Sequence, residues 1–433
     1  MIKKILLYAG SFLATICILW SALILTTLIP NERLRDNMLE SALLMNGADP
    51  FPQKDGRNTI TDNYADIILL NVIWNTDSSA PFVSSLDTKY FDGNDGVTDY
   101  GENYGLYAAV NGTPPNTDYS RYWHGSAVFI RPLMVLTDIN GVRLTGAAAA
   151  LLLLAVSCII LAKRRLYLES AALPLAFICV QAWNIRLSME FQPAVLVTLT
   201  MLPLFLTLEK KGNTALVILS IVSGTMIAFF DFLTAETLTL LIPLITVMSV
   251  RYSEGRFANA KTELVTAAKC SIGWILAYGG TFIVKWTAAS AVTGENKFTA
   301  ALSSAEERFG GSAQALSPIV QIFAAPFTNI STMFGGKVRA DVLPAVIGII
   351  LIAAAVVLAL YLSRRNKYAR AYMLAVFILA AVPYIRYAVL NNHSYLHDFF
   401  TYRAQAAVVL ALLTAIGASR RKPETKKKKK HGR

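Results

Sequence analysis

Of 433 residues, 55% are apolar and only 16% are charged, against about 25% charged in an average soluble chain. That deficit, with apolar runs of roughly twenty residues recurring along the chain, excludes a large soluble core and predicts membrane spans. The formal charge of +12 invites a nucleic-acid reading, but the basic residues sit at the ends of apolar runs and in a lysine-rich tail, which is a topology pattern.

The fold class predicted is an all-α polytopic membrane protein of about ten transmembrane helices, with a large extracytoplasmic loop domain after the first. Residues 1–30 hold the first span, at about 5–29, behind Lys3-Lys4. The run from Ile5 to Ile29 is too long for a signal-peptide core, and no small-x-small site precedes Pro30, so an uncleaved span is expected. Residues 31–142 carry fifteen acidic against seven basic residues and form the extracytoplasmic domain. Leu34, Met38, Ala42 and Met45 fall at helical spacing, which predicts an amphipathic helix along the membrane surface. A second helix is expected from Thr61-Asp62, with Ala65, Ile68, Leu69 and Val72 on one face. Glycine and asparagine are dense from Asp92 to Gly112, which reads as loop. Asp92 to Gly96 resembles a calcium loop, but its fifth position is glycine and no glutamate stands at the twelfth, so it reads as a polar turn.

Residues 143–288 carry spans two to seven, at about 144–162, 168–184, 192–208, 214–230, 234–250 and 266–288. Residues 289–341 form a second extracytoplasmic loop, and 342–418 carry three more spans at about 342–362, 371–390 and 403–418. Lys163 to Arg165, Lys210-Lys211, Arg251 to Lys261, Arg364 to Arg370 and the basic tail 419–433 all fall on the side of Lys3-Lys4. By the positive-inside rule the chain is a multi-pass protein of the cell membrane with both termini cytoplasmic. Lys426 to Lys430 read as a solvated tail that fixes topology and attracts anionic head groups. No internal repeat supports the inverted-repeat transporter pattern. Cys17, Cys158, Cys179 and Cys270 lie in apolar runs with no disulfide or metal-ligand spacing.

The outer face then collects 31–142, turns at 185–191 and 231–235, the loop 289–341 and the turn 391–402. His124, His393 and His397 fall there, while His431 is in the tail. Within Tyr119 to Arg131, the rings of Tyr119, Tyr122 and Trp123 suit a sugar or an isoprenoid chain, and Arg121, His124 and Arg131 supply donors. An interfacial aromatic belt accounts for the rings but not for the arginines and histidine. His393 and His397 share a helix face, with Arg386 seven residues earlier on the same stripe and Tyr402-Arg403 just beyond. A zinc site lacks a third ligand at useful spacing. Contact with a phosphate fits better, because arginine binds phosphate oxygens two at a time. Asp62 and Asp66 open the second loop helix, where capping alone accounts for carboxylates. Asp231, with Glu236 five residues on, stands at the outer end of a span, where a carboxylate is costly. Arg186 and Glu190 read as a surface pair, and Lys285 as a snorkelling lysine. No Walker A loop, dinucleotide fingerprint or nucleophile elbow is present.

The layout of one span, a large outer loop with surface helices, many spans and a second outer loop resembles the GT-C superfamily of polytopic glycosyltransferases. More narrowly, Asp62 to Asp66, Arg121 to Gly125 with Arg131-Pro132, Phe230 to Thr234, and Asn392-His393-Ser394 to Tyr402-Arg403 are similar to an uncharacterised bacterial membrane-protein family, often of Gram-positive origin. The GT-C resemblance implies a polyprenyl-phosphate-linked sugar donor, membrane lipids as surroundings, a saccharide or protein acceptor, no nucleic acid, and inverting transfer at the outer face that builds cell-wall or surface polysaccharide. It implies a catalytic carboxylate, assigned to Asp66 or Asp62 with Asp231 as alternate. The substrate contacts it implies are Arg121, Trp123, His124, Arg131, Arg386, His393, His397, Tyr402 and Arg403. No metal ligand is assigned, and a divalent ion joining the phosphate is left open. The chain departs from the commoner pattern in having no acidic pair directly after the first span, since Glu32 and Asp36 belong to the surface helix. A flippase or transporter of a lipid-linked saccharide, a polysaccharide polymerase or ligase, and a non-catalytic scaffold are the competing readings.

Overall fold

The computed structural model describes residues 2–93, 103–310 and 316–420. Lys426 to Lys430, His431 and the Asn94 to Gly96 part of the polar turn lie outside them. Among the described residues eight helices are long and apolar enough to cross a membrane: Ile2–Thr27, Ile139–Lys163, Gln192–Lys211, Asn213–Phe230, Ala260–Thr293, Val342–Ser363, Lys367–Val389 and Asp398–Ser419. Two of the expected spans are shorter helices, Tyr167–Cys179 and Leu238–Ser253. The first of these stops because Gln181 takes a left-handed backbone (φ 51°) and leads into a 3-10 turn, Ala182–Leu187. The second starts late because the Asp231 carboxylate accepts from the amide and hydroxyl of Thr234 (2.9 and 2.5 Å), which holds that stretch in a turn.

Burial sorts these helices. Every residue from Leu238 to Tyr252 is buried, whereas Val342–Ser363 buries only four and presents apolar side chains outward. An all-apolar helix is either core or lipid-facing, and both kinds occur here. Asn213–Phe230 and Ala260–Thr293 pack backbone to backbone. A Cβ on Gly224 would lie 2.5 Å from the Trp274 carbonyl oxygen, the small-residue contact typical of membrane helix pairs. At the end carrying the short connections, Arg164 and Arg256 bind Glu209 and Glu254, and Arg251 binds Glu263 (2.5–3.0 Å). Part of the basic charge that marks topology is thus neutralised in an ion-pair cluster.

The long loops build a second layer at the opposite end. The stripe Leu34, Met38, Ala42 and Met45 is buried, while Leu43 and Leu44 of the helix Arg35–Met45 face outward. In the helix Asn63–Trp74, Ile67, Leu70 and Ile73 join the core. Of the face Ala65, Ile68, Leu69 and Val72, the first three line a cavity, while Leu69 also joins the core and Val72 is buried. The stretch read as loop from Asp92 to Gly112 contains a helix, Tyr104–Val110, whose Ala108 and Ala109 pack on Phe91. A two-residue ladder pairs Lys89–Tyr90 with Thr117–Asp118.

Two ties hold this layer down. Lys285, read as snorkelling, is fully buried and donates to the carbonyls of Ser85 and Leu86 (3.1 and 2.9 Å). Arg57 forms a two-pronged bond with Asp398, which also accepts from Thr332. The first loop, the helix Pro318–Met333 of the second loop and the 391–402 turn therefore meet at one buried carboxylate.

Candidate functional site

The cavity these loops enclose is about 290 Å³. One wall is the start of the helix Asn63–Trp74 with the turn at 188–190, which contribute Asp62, Tyr64 and Glu190. Another is the 119–124 segment, which contributes Tyr119, Arg121, Tyr122 and His124. Arg308 enters from the helix Lys297–Gly310, and Asn392, His393 and His397 from the 391–402 turn. The two polar clusters recognised in the sequence thus share one site.

Local structure explains each placement. His124 adopts a left-handed backbone (φ 53°), and the next residue leaves no room for a side chain, since a Cβ on Gly125 would lie 2.2 Å from the Phe229 ring. The His124 Nε2 lies 2.9 Å from the Tyr119 carbonyl oxygen. That oxygen only accepts, so Nε2 carries the hydrogen and Nδ1 presents a lone pair. The Arg121 guanidinium lies over the Tyr119 ring at 4.5 Å, and Arg308 donates to the Tyr122 hydroxyl. His393 and His397 sit 4.8 Å apart, ring centre to ring centre.

Glu190 was not singled out from sequence beyond a surface pairing with Arg186. That pairing is corrected: Arg186 is exposed, and Glu190 is buried against the cavity, engaged with Asp62. Asp66 puts it there. The Asp66 carboxylate accepts from the Ser188 hydroxyl (2.7 Å) and the amides of Met189 (2.8 Å) and Glu190 (3.3 Å), and Arg143 Nε donates to it from the other side (2.7 Å). Asp62 caps its helix by accepting from the Ala65 amide (2.9 Å), and its carboxyl lies within hydrogen-bonding reach of Glu190.

Several of the expected site residues lie outside the cavity. Asp66 does not line it, and both its oxygens are engaged by Ser188, Met189, Glu190 and Arg143. Arg131 is buried and donates to the Ile29 and Ile73 carbonyls and to Asn31, tying the end of the first span to the loop layer. Trp123 is buried and donates to the Thr281 carbonyl (2.9 Å). Arg386 pairs with Glu236 (2.8 Å) and donates to the Leu233 carbonyl and the Ser394 hydroxyl, which braces the 231–236 turn. Asp231 belongs to that turn, one residue from Phe232 in the cavity wall. Tyr402 and Arg403 lie beneath the wall, with the Arg403 guanidinium 4.4 Å from the Phe191 ring. None of these side chains lines the cavity.

The cavity's electrostatics are uneven. Glu190 Oε2, Arg121 Nε, Asn392 Oδ1 and the Nδ1 atoms of His124, His393 and His397 are buried without a hydrogen-bond partner among the described residues. Buried polar atoms are nearly always satisfied, so six orphans on residues around one cavity set it apart. Burial pushes the Asp62 carboxyl up to about 6, and burial beside Asp62 holds Glu190 well above the usual carboxylate range. Two carboxyls in contact share one proton and titrate as a unit. Burial, with nearby arginines, keeps His124 at about 3 and His397 at about 4, with His393 also depressed. Burial thus favours the uncharged form of all three rings. The cations of the wall are Arg121 and Arg308. Among the described residues no group of three or more His, Cys, Asp or Glu side chains is placed to hold a metal ion.

A pH dependence follows. If the pair must be ionised to work, activity falls as pH drops through about 6. Stability moves oppositely. Asp62 holds its proton more tightly folded than unfolded, so its favourable contribution is present below about pH 4 and lost as pH rises through about 6. Asp62→Asn keeps a capping side chain and is expected to raise stability at pH 7.5 by on the order of 1–3 kcal/mol, with little gain at pH 4. Unfolding followed at both pH values checks this, and equal effects at the two would contradict it.

No protein-family model, no curated protein and no solved structure matches the chain.

Proposed function

We propose that the protein is a membrane glycosyltransferase of GT-C-like layout, with ten spans and both termini cytoplasmic. It takes a polyprenyl-phosphate-linked sugar at the outer membrane face and passes it to a saccharide or protein acceptor of the cell envelope. The observation that carries this is the meeting, in one cavity among the loops, of Asp62 and Glu190 with Arg121, Arg308 and three histidines. Transfer needs a base for the acceptor hydroxyl and cations for the departing phosphate, and these are the two groups present.

In this scheme the acceptor oxygen attacks the anomeric carbon as its proton passes to Glu190 Oε2, and the proton held between Glu190 and Asp62 moves toward Asp62. The bond from that carbon to the phosphate oxygen breaks, and its electron pair leaves on the phosphate. Arg121 and Arg308 balance the charge that develops there. The rings of Tyr119 and Tyr122 and the bare nitrogen of His124 hold the sugar. Attack opposite the leaving group inverts the anomeric centre.

The test is purified protein with polyprenyl-phosphate sugars and a labelled sugar moiety. Label transferred to an acceptor, or released as free sugar, supports the reading. Label moved across a vesicle membrane with its phosphate bond intact would identify a flippase, and repeated addition to one growing chain would identify a polymerase. Arg121→Ala and Arg308→Ala are each expected to lower kcat about 10²–10³-fold, and Arg121→Lys not to restore it, because the ammonium lacks the planar fork. Unchanged kcat in both alanine variants would remove the phosphate role.

A further inference from the structure

A second cavity, of about 480 Å³, lies far from the loop layer, between the first helix Ile2–Thr27 and the helices Asn213–Phe230 and Ala260–Thr293. Among the described residues its lining is apolar apart from Tyr8 and Lys269. Its walls are periodic: Ile5 and Phe12 on the first helix, and Lys269, Gly273 and Leu276 on the long one, repeat at helical spacing. Gly273 is where the long helix packs closely on Asn213–Phe230, since a Cβ there would lie 3.1 Å from Ile221.

Lys269 is the informative residue. It is exposed and belongs to no ion pair among the described residues, although it stands within a helix long and apolar enough to span. A lysine near the end of a span carries its ammonium out to the interface. It lies three residues inside the boundary expected at 266, about 5 Å of helix rise, so its stem reaches the level of lipid phosphates. Lys3 and Lys4, both exposed, stand just before Ile5 on the facing helix. One end of an apolar groove is thus positively charged at head-group depth. Basic pockets between membrane helices on the cytoplasmic side are where anionic head groups bind.

We propose that this groove is a binding site for an anionic phospholipid of the inner leaflet, with the phosphate on Lys269 and an acyl chain along Ile5, Phe12, Gly273 and Leu276. The proposal rests on the membrane reading and not on glycosyl transfer, so it stands or falls separately from the function proposed above.

Native mass spectrometry of the detergent-purified chain tests it, with phosphatidylglycerol and phosphatidylcholine of identical chains offered in turn. Phosphatidylglycerol is expected to be retained about fivefold over phosphatidylcholine, the factor one ammonium near an anionic surface supplies. Lys269→Gln should bring that ratio to about one, and Lys269→Arg should keep it. Lys269 is exposed, so the glutamine variant should elute and unfold like the parent chain. Equal retention of the two lipids by the parent chain would overturn the site. So would a preference that survives Lys269→Gln, or one lost in the Lys3→Gln/Lys4→Gln double variant instead.

Discussion

Glu190→Gln is expected to lower sugar transfer about 10²–10⁴-fold, the range over which a positioned general base acts, while leaving donor binding and fold intact. The amide keeps the shape of the side chain and removes only its ability to take a proton. Glu190 Oε2 is buried in the cavity wall without a partner, so the change breaks no described hydrogen bond at that oxygen. Asp62→Asn should be nearly as damaging, because the pair works through one shared proton, and the double variant should be little worse than either single one. Groups that act as a unit are grossly non-additive in this way. Single-turnover transfer, with donor affinity measured separately, distinguishes a lost base from lost binding. A Glu190→Gln enzyme with parental turnover would move the base elsewhere, and Asp231 would be the next carboxylate to replace.

Asp66→Asn is expected to destabilise the protein by about 3–5 kcal/mol, the usual consequence of stranding one partner of a buried ion pair. Arg143 is nearly buried and donates to Asp66 and Asn63. The amide also presents hydrogens to the Met189 and Glu190 amides, which themselves donate to the carboxylate. The 188–190 turn should open and carry Glu190 away from Asp62. Stability and transfer should therefore fall together, in contrast to Glu190→Gln, where only transfer falls. Denaturant unfolding in mixed micelles gives the first quantity. A normally stable Asp66→Asn variant would show that the turn is held by other contacts.

What could be read beforehand was what depends on near neighbours. The stripe from Leu34 to Met45 is a local period, and its burial follows from spacing alone. Asp62 as a helix start and the long apolar helices are local in the same sense. His124 and His393 share a cavity because of where the loops fall, which charge alternation anticipated. Glu190 was not legible, because the contact that defines it reaches back to Asp66, more than a hundred residues earlier. Arg308 was hidden for the same reason, as a charged residue on an amphipathic loop helix looks solvated until the wall opposite is known. Arg131, Arg386 and Arg403 erred in the other direction. Arginine type and outer position suggested phosphate, but carbonyls and Glu236 already engage Arg131 and Arg386, and none of the three lines the cavity. A polar residue at a span end is as often a fastener between segments as a ligand contact, and only tertiary partners tell the two apart.

The helix Ala260–Thr293 runs unbroken for 34 residues, a rod about 51 Å long. A rod cannot shorten, so a thinner bilayer is met by tilt. Near its upper end, Trp286 donates to the Arg121 carbonyl (2.9 Å) and Lys285 to Ser85 and Leu86. Whatever angle the rod takes, those bonds carry to the cavity wall that holds Arg121. The wall that holds Arg121 is therefore hung on this one rod, and the two can only shift together.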